Sequence, residues 1–151
     1  MANPIDTLKK AVKPGKFPKM PMTEGPKEGS DAPLINELVE RVFTTRTLAH
    51  FAHWNTSSDA THRALGELYD AIVGATDDVV EGYQGEFGLL KGLETKSACL
   101  DRDIVEYILE DATWLRDNQE KVCKGSKSLS SLVDILMAAY NRCLYKLKNL
   151  K

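Results

Sequence analysis

Histidine, which binds metals and exchanges protons near neutral pH, is confined to one short stretch of the sequence. His50, His53 and His62 lie within 13 residues, and no other histidine occurs in the chain. The stretch between His53 and His62 contains Asn-Thr-Ser-Ser-Asp, which is typical of a chain reversal followed by a helix start. We therefore predict that these two imidazoles meet at one end of a helical hairpin.

Two carboxylates further along the chain have the spacing of neighbours on a helix. Asp77 and Glu81 are four residues apart, so their side chains share one helix face. Imidazole and carboxylate together suit a borderline divalent ion such as Fe²⁺ or Zn²⁺. Such a pair of acids is also common on a hydrated surface, and a single histidine is usually a packing or surface residue. Both interpretations stay open at this point.

Helix geometry prevents these residues from binding one ion within a single subunit. His62 and Asp77 are 15 residues apart, which is about 22 Å at about 1.5 Å per residue. Two copies of this helix, antiparallel across a twofold axis, would set each histidine end against the partner's carboxylates and create two sites. Gly66, Gly74 and Gly82 in the same segment would let that partner approach closely.

The alternative of a di-iron site inside one bundle is excluded by the positions of the histidines. That arrangement needs a Glu-x-x-His motif on two helices. No histidine follows His62, so the later helices cannot supply the second motif.

Four amphipathic segments must position these residues. Apolar side chains recur at helical spacing in each segment, and the alternation expected of strands is absent. The glycine-containing stretch 84–100 keeps several apolar residues and is predicted to be a packed crossover. The expected fold is all-α, a four-helix bundle with one long crossover formed by residues 33–151. The predicted helices cover residues 34–55, 59–83, 101–118 and 129–150.

The first 32 residues differ in composition from the rest of the chain. All six prolines lie within the first 33 positions, so we predict an extended N-terminal arm over residues 1–32. Residues 1–20 carry a net charge of +4 and the remaining residues carry −6. The basic arm would serve as a solubilising tail, a DNA contact or a docking element. Its five lysines are Lys9, Lys10, Lys13, Lys16 and Lys19.

Composition excludes several classes of protein. No apolar run approaches the roughly 18 residues of a membrane span, and the first ten residues lack the apolar core of a secretory signal. Three widely spaced cysteines argue against a disulfide scaffold or a zinc ribbon and favour a reducing compartment. We therefore expect a cytoplasmic protein that does not enter a membrane.

The candidate residues fall into a pattern that resembles a known family. The pattern comprises Leu48-Ala-His-Phe-Ala-His-Trp-Asn55, then His62 with Tyr69 seven residues later, then Asp77 with Glu81. It is similar to the DNA-protecting mini-ferritins of starved bacteria, the Dps-like proteins of the ferritin-like superfamily. The motif resemblance covers residues 48–81, and the remainder of the body matches only in the order of its helices.

The resemblance implies a function as well as a fold. Dps-like proteins form hollow homo-oligomeric shells that oxidise Fe²⁺ with peroxide or dioxygen at intersubunit sites, store the ferric product and often bind DNA through basic arms. Carried over by position, His53, His62, Asp77 and Glu81 would be metal ligands, with histidines and carboxylates from different subunits. Iron is the expected metal, and Zn²⁺ could take its place.

The sequence also departs from the family pattern. The connection between His53 and His62 is three residues shorter than usual, and Gly66 stands where the family has a carboxylate. Glu67, one position later, is a candidate substitute ligand. The alternative function is therefore a non-catalytic ferritin-like structural or interaction subunit that has lost full ferroxidase activity.

Overall fold

The computed structural model describes residues 33–150, which form four α-helices and no strand. The helices are α1 (Leu34–Asn55), α2 (Asp59–Phe87), α3 (Ile104–Cys123) and α4 (Lys127–Asn149). The predicted all-α class and the number of helices are confirmed. The predicted N-terminal arm and its five lysines lie outside the described residues. None of the four helices has the length and apolarity needed to cross a membrane.

Each helix buries one apolar stripe in a shared core. Helix α1 packs against α2 and α3, and α4 packs against the same two helices. The core side chains recur every three or four residues, as expected of amphipathic helices with one buried face. Fully buried members from the four helices include Ile35, Leu38, Leu65, Ile72, Ile108, Leu129 and Leu136.

Side-chain caps define where three of the helices begin. The side chains of Ser58, Asp103 and Ser126 accept hydrogen bonds from backbone N–H groups in the first turns of α2, α3 and α4. Such caps satisfy N–H groups that have no partner within the helix. The predicted starts of α1 and α2 agree with the structure, whereas α3 and α4 begin three residues later and two residues earlier than predicted.

Two helices extend beyond their predicted ends. Helix α2 continues to Phe87, whose ring packs 4.8 Å from that of Tyr83, and it stops at Gly88 with φ 94°. Helix α3 continues to Cys123 because Val122 and Cys123 are both buried in the core. The burial of Val122 and Cys123 depends on the other helices and is not visible in local sequence periodicity.

The connection between α2 and α3, residues 88–103, contains no helix or strand. The side-chain amide of Asn36 on α1 donates a hydrogen bond of 2.8 Å to the backbone carbonyl of Lys91. Leu90, Ala98 and Leu100 pack against the core. The connection is therefore attached to the bundle by apolar contacts and by several polar ones, which include an ion pair between Lys96 and Glu40 of α1.

One buried charge lies in the core. Asp111 on α3 is 6% exposed, and its carboxylate accepts a hydrogen bond of 2.5 Å from the hydroxyl of Thr45 on α1. Arg41 approaches the same carboxylate to 3.3 Å, and the Tyr140 hydroxyl on α4 lies 3.5 Å away. This polar cluster links three helices.

Candidate metal centre

The turn between α1 and α2 brings His53 and His62 into direct contact. Their rings stack with centroids 3.6 Å apart. Nδ1 of His53 lies 2.7 Å from the backbone carbonyl oxygen of His62, and Nδ1 of His62 lies 3.0 Å from that of His53. The predicted meeting of the two imidazoles is confirmed.

These reciprocal contacts determine which nitrogen of each ring is available. A carbonyl oxygen can only accept a hydrogen bond, so each Nδ1 must carry a proton and donate it. In the neutral ring, Nε2 then holds the lone pair. Metal-binding histidines commonly use this arrangement, with one ring nitrogen donating to a carbonyl and the other binding the ion. The pair therefore presents two oriented nitrogen ligands.

The third histidine extends the cluster without joining the pair. His50 stacks on Tyr69, with ring centroids 4.3 Å apart, and its ring lies 4.2 Å from that of Trp54. Tyr69 in turn meets His53 edge to face at 5.3 Å. The contact of His50 with both aromatic rings was missed at the sequence level, although its position four residues before Trp54 places the two on one helix face.

Asp77 and Glu81 lie on the exposed surface of α2. Within residues 33–150, no three or more His, Cys, Asp or Glu side chains are grouped so that they could hold a metal ion. The structure thus brings the two histidines together and leaves the two carboxylates on the helix surface. A single chain does not combine the four residues in one site.

Glu67 lies on α2 and contacts α4. Its carboxylate accepts a hydrogen bond from the ammonium group of Lys146 on α4. That hydrogen bond is the main cause of a lowered pKa for Glu67, and the nearby charges of Lys146 and Arg142 lower it further. In this arrangement the Glu67 carboxylate is engaged by α4 and not by the histidine pair.

The surroundings of residue 66 explain why this residue is a glycine. A Cβ atom at residue 66 would lie 3.3 Å from Cε1 and 3.5 Å from Nδ1 of His53, which is tighter than most contacts of this kind. The imidazole of His53 therefore packs directly on the backbone of α2. A carboxylate at residue 66 would force this ring to move.

Three of the four glycines of α2 recur every eight residues, and these three do not form one surface. A step of eight residues rotates the helix by about 80° beyond two full turns, so the glycines spread around it. Gly82 faces α4, where an added Cβ would lie 2.9 Å from Cδ1 of Leu132, whereas Gly74 has nothing within 4 Å. The expectation that all three glycines admit a partner is therefore wrong for Gly66 and Gly82.

Comparison with protein families places the candidate centre in a defined group. A family model matches residues 53–147, from the first histidine of the pair into the last turn of α4. The chain belongs to a family of unknown function, DUF5856. The part that matches DUF5856 contains His53, His62, Asp77 and Glu81. The chain matches no curated protein and no solved structure.

Proposed function

We propose that this protein is a Dps-like member of the ferritin-like superfamily that binds and oxidises Fe²⁺ as its substrate. Each site would take His53 and His62 from one subunit and Asp77 and Glu81 from another. The observation that supports this most strongly is the reciprocal hydrogen bonding of the histidine pair. It orients two ring nitrogens as ligands before any ion arrives.

The chemistry requires little from the protein beyond these ligands. The imidazoles would hold the ion through nitrogen, and the carboxylates would balance its charge. Two Fe²⁺ ions each lose one electron, and one hydrogen peroxide molecule takes up both electrons and two protons to give two water molecules. The ferric product would then be stored in the assembly, which limits oxidative damage. Zn²⁺ would bind without being oxidised, because it has no redox chemistry.

The arrangement of the helices supports a ferritin-like assignment. Both α2 and α3 pack against α1 and α4, and residues 88–103 join α2 to α3. That connection would correspond to the long crossover of a ferritin-like bundle.

The surface of α1 and α2 supports a homo-oligomer formed through a twofold interface. Phe43, Trp54 and Val73 are exposed there, with Trp54 65% exposed. Apolar surface exposed in this way is available for contact with another subunit.

Two observations favour the alternative of a structural or interaction subunit. Residue 66 supplies no carboxylate, and Glu67 is engaged by Lys146. A chain with only part of the usual ligand set would retain the bundle and the interface but oxidise iron poorly. Measurement of iron binding and of iron oxidation separately distinguishes the two functions.

The direct test is an anaerobic titration of the purified protein with Fe²⁺, in which calorimetry measures the binding. We expect micromolar or tighter binding of at least one ion per subunit, and loss of binding in the double variant His53→Ala, His62→Ala. His50→Ala is the matched control, because it removes a neighbouring histidine that is not a proposed ligand. Binding should also weaken in acid, since a protonated imidazole cannot bind a metal. No binding by the wild-type protein at neutral pH would refute the proposal.

A complementation experiment tests whether the site is shared between subunits. One variant carries His53→Ala and His62→Ala, and the other carries Asp77→Ala and Glu81→Ala. Each alone should be inactive. In a mixed dimer, one of the two sites is intact, so random pairing restores about a quarter of wild-type iron oxidation. If two folded, co-assembled variants recover no activity, the site is not shared in this way.

A further inference from the structure

One end of the bundle is formed by three chain segments that hydrogen bonds hold together. The side-chain amide of Asn36, in the first turn of α1, donates to the backbone carbonyl of Lys91 just after α2. The carboxylate of Glu86, in the last turn of α2, accepts hydrogen bonds of 2.6 and 2.7 Å from the hydroxyls of Ser126 and Ser128 at the start of α4. We term this region the basic end, and it comprises residues 33–36, 84–91 and 120–130.

The basic end differs in charge from the rest of the described chain. It contains four lysines and two acidic residues, whereas the other residues of 33–150 include nine basic and sixteen acidic side chains. Of the two acids, Glu86 is engaged by the serine hydroxyls and Glu120 is exposed. Positive charge is therefore concentrated at this end of an otherwise acidic body. The four lysines are all exposed, and they are Lys91, Lys121, Lys124 and Lys127.

Apolar side chains are exposed among these lysines. The chain turns at Gly88, and the side chain of Leu90 packs back against the core. Leu89, between them, is 81% exposed, which is the highest value for a large apolar side chain within residues 33–150. Phe87 is also exposed, and Nζ of Lys124 lies 4.8 Å from the centre of its ring. The basic end thus combines a protruding leucine and an aromatic ring with several cations.

This combination fits the surface of an anionic membrane. Lysines near a membrane surface are attracted by the negative charge of anionic lipids. Apolar side chains beside them gain free energy when they enter the boundary between headgroups and acyl chains. The phosphates of a nucleic acid would attract the same lysines, but they offer no apolar layer for the protruding Leu89. A contact of this kind lies on the membrane and needs no helix that spans it.

We propose that the basic end docks on the surface of an anionic phospholipid membrane, with Leu89 in the headgroup region and Lys91 and Lys127 against the lipid phosphates. The histidine pair lies at the opposite end of the bundle, because α1 runs from the basic end at Leu34 to its last turn at His53. Docking therefore leaves the candidate metal centre away from the lipid. It does not depend on iron binding or oxidation.

Cosedimentation of the full chain with lipid vesicles, in a buffer without added metal, tests the proposal. The wild-type protein should sediment with vesicles of phosphatidylglycerol and phosphatidylcholine, and it should stay in solution with vesicles of phosphatidylcholine alone. Leu89→Ser should weaken binding about tenfold, because this side chain can no longer be buried in the lipid. Leu109→Ser is the matched control, because this exposed leucine lies 14 residues before the end of α3, about 21 Å away along the helix.

A second pair of variants tests the contribution of charge. Lys127→Gln should weaken binding to the anionic vesicles about fivefold. Lys148→Gln is its matched control, because this exposed lysine lies 21 residues later on the same helix, about 32 Å away. Absence of binding to anionic vesicles would overturn the proposal. Binding that Leu89→Ser leaves unchanged would also overturn it, since lysines elsewhere in the chain would then account for the attraction.

A labelled variant tests the insertion of residue 89 directly. On a Cys99→Ser background, which removes the exposed native thiol, Leu89→Cys is labelled with an environment-sensitive fluorophore. Its emission should move to shorter wavelength when anionic vesicles are added, whereas the same label on Leu109→Cys should not respond. An equal response at the two positions would contradict docking through the basic end.

A nucleic acid is the other polyanion that these lysines could meet, and the same variants distinguish it. Gel retardation of DNA that Lys127→Gln weakens, in a protein that binds no vesicles, would overturn membrane docking and identify the basic end as a nucleic-acid contact. Circular dichroism should be unchanged in all variants, because every substituted side chain is exposed.

Discussion

Replacement of Asp111 tests how the core tolerates its buried charge. Burial raises the pKa of this carboxyl group above its ordinary value of 3.8, while the Thr45 hydroxyl and Arg41 partly oppose the rise. In the native state the Asp111 carboxyl group therefore keeps its proton at pH values where the same group in the unfolded chain has lost it. Stability should fall as pH rises from the ordinary pKa through the raised native pKa. At pH values below the ordinary pKa, Asp111 is protonated in both the native and the unfolded state, so stability no longer changes with pH through this group.

Two substitutions separate charge from hydrogen bonding. Asp111→Asn removes the titration and keeps an oxygen that can accept from Thr45, so we expect a change within about 1 kcal/mol near neutral pH. Asp111→Ala leaves the hydroxyls of Thr45 and the fully buried Tyr140 without this acceptor. Each such loss costs about 1–3 kcal/mol, so the expected total for the two is about 2–6 kcal/mol. That corresponds to a fall in Tm of roughly 10 °C for a domain of this size.

Circular dichroism during thermal and urea unfolding, at several pH values between 3 and 8, would measure these effects. The difference in unfolding free energy, Asp111→Asn minus wild type, should increase with pH across the range where Asp111 titrates. A difference that stays constant with pH would show that Asp111 has the same pKa in the native and unfolded states. An Asp111→Ala variant as stable as Asp111→Asn would show that the hydrogen bonds contribute nothing.

Three other predictions concern the metal centre, the cysteines and the arm. Gly66→Ala should reduce Fe²⁺ affinity at least tenfold, because the added methyl group displaces the His53 ring, while stability should be no lower than in the wild type because alanine is favoured over glycine in a helix by about 1 kcal/mol. Gly85→Ala is the control, because an added side chain has open space there. Equal Fe²⁺ affinities of the two variants would contradict the role of Gly66. Ellman's reagent should detect one thiol per native chain and three after denaturation, since Cys99 is exposed while burial raises the pKa of Cys143 to about 12. Deletion of residues 1–20 should abolish any salt-sensitive gel retardation of DNA, and retardation unaffected by the deletion would refute DNA binding by the arm.

The helices were predictable because each buries one continuous apolar stripe. The boundaries of α1 followed from local sequence alone, since Pro33 precedes the first apolar residue and a polar turn follows the last. The end of α3 did not follow, because it depends on the burial of Val122 in the core formed with the other helices. The end of α2 was also placed too early, although Phe87 packs on Tyr83 one turn before it in the same helix. Local periodicity cannot report a contact between residues that are distant in sequence.

The candidate centre was predictable to a similar extent. The contact of His53 with His62 follows from a short turn between two antiparallel helices, which the polar residues before α2 indicate. The packing of His53 on Gly66 was not predictable, because it depends on the orientation of a ring relative to a neighbouring backbone. The engagement of Glu67 by Lys146 likewise depends on how far α4 lies from α2.

The glycines of α2 differ in what packs against them. Each glycine inside a helix costs about 1 kcal/mol relative to alanine, so a reason is expected for each one. His53 packs on Gly66, and Leu132 packs on Gly82. Gly74 and Gly85 have no neighbouring atom that explains them within residues 33–150. Packing within one chain therefore explains two of the four glycines of α2, and the other two lie where an added side chain would find open space.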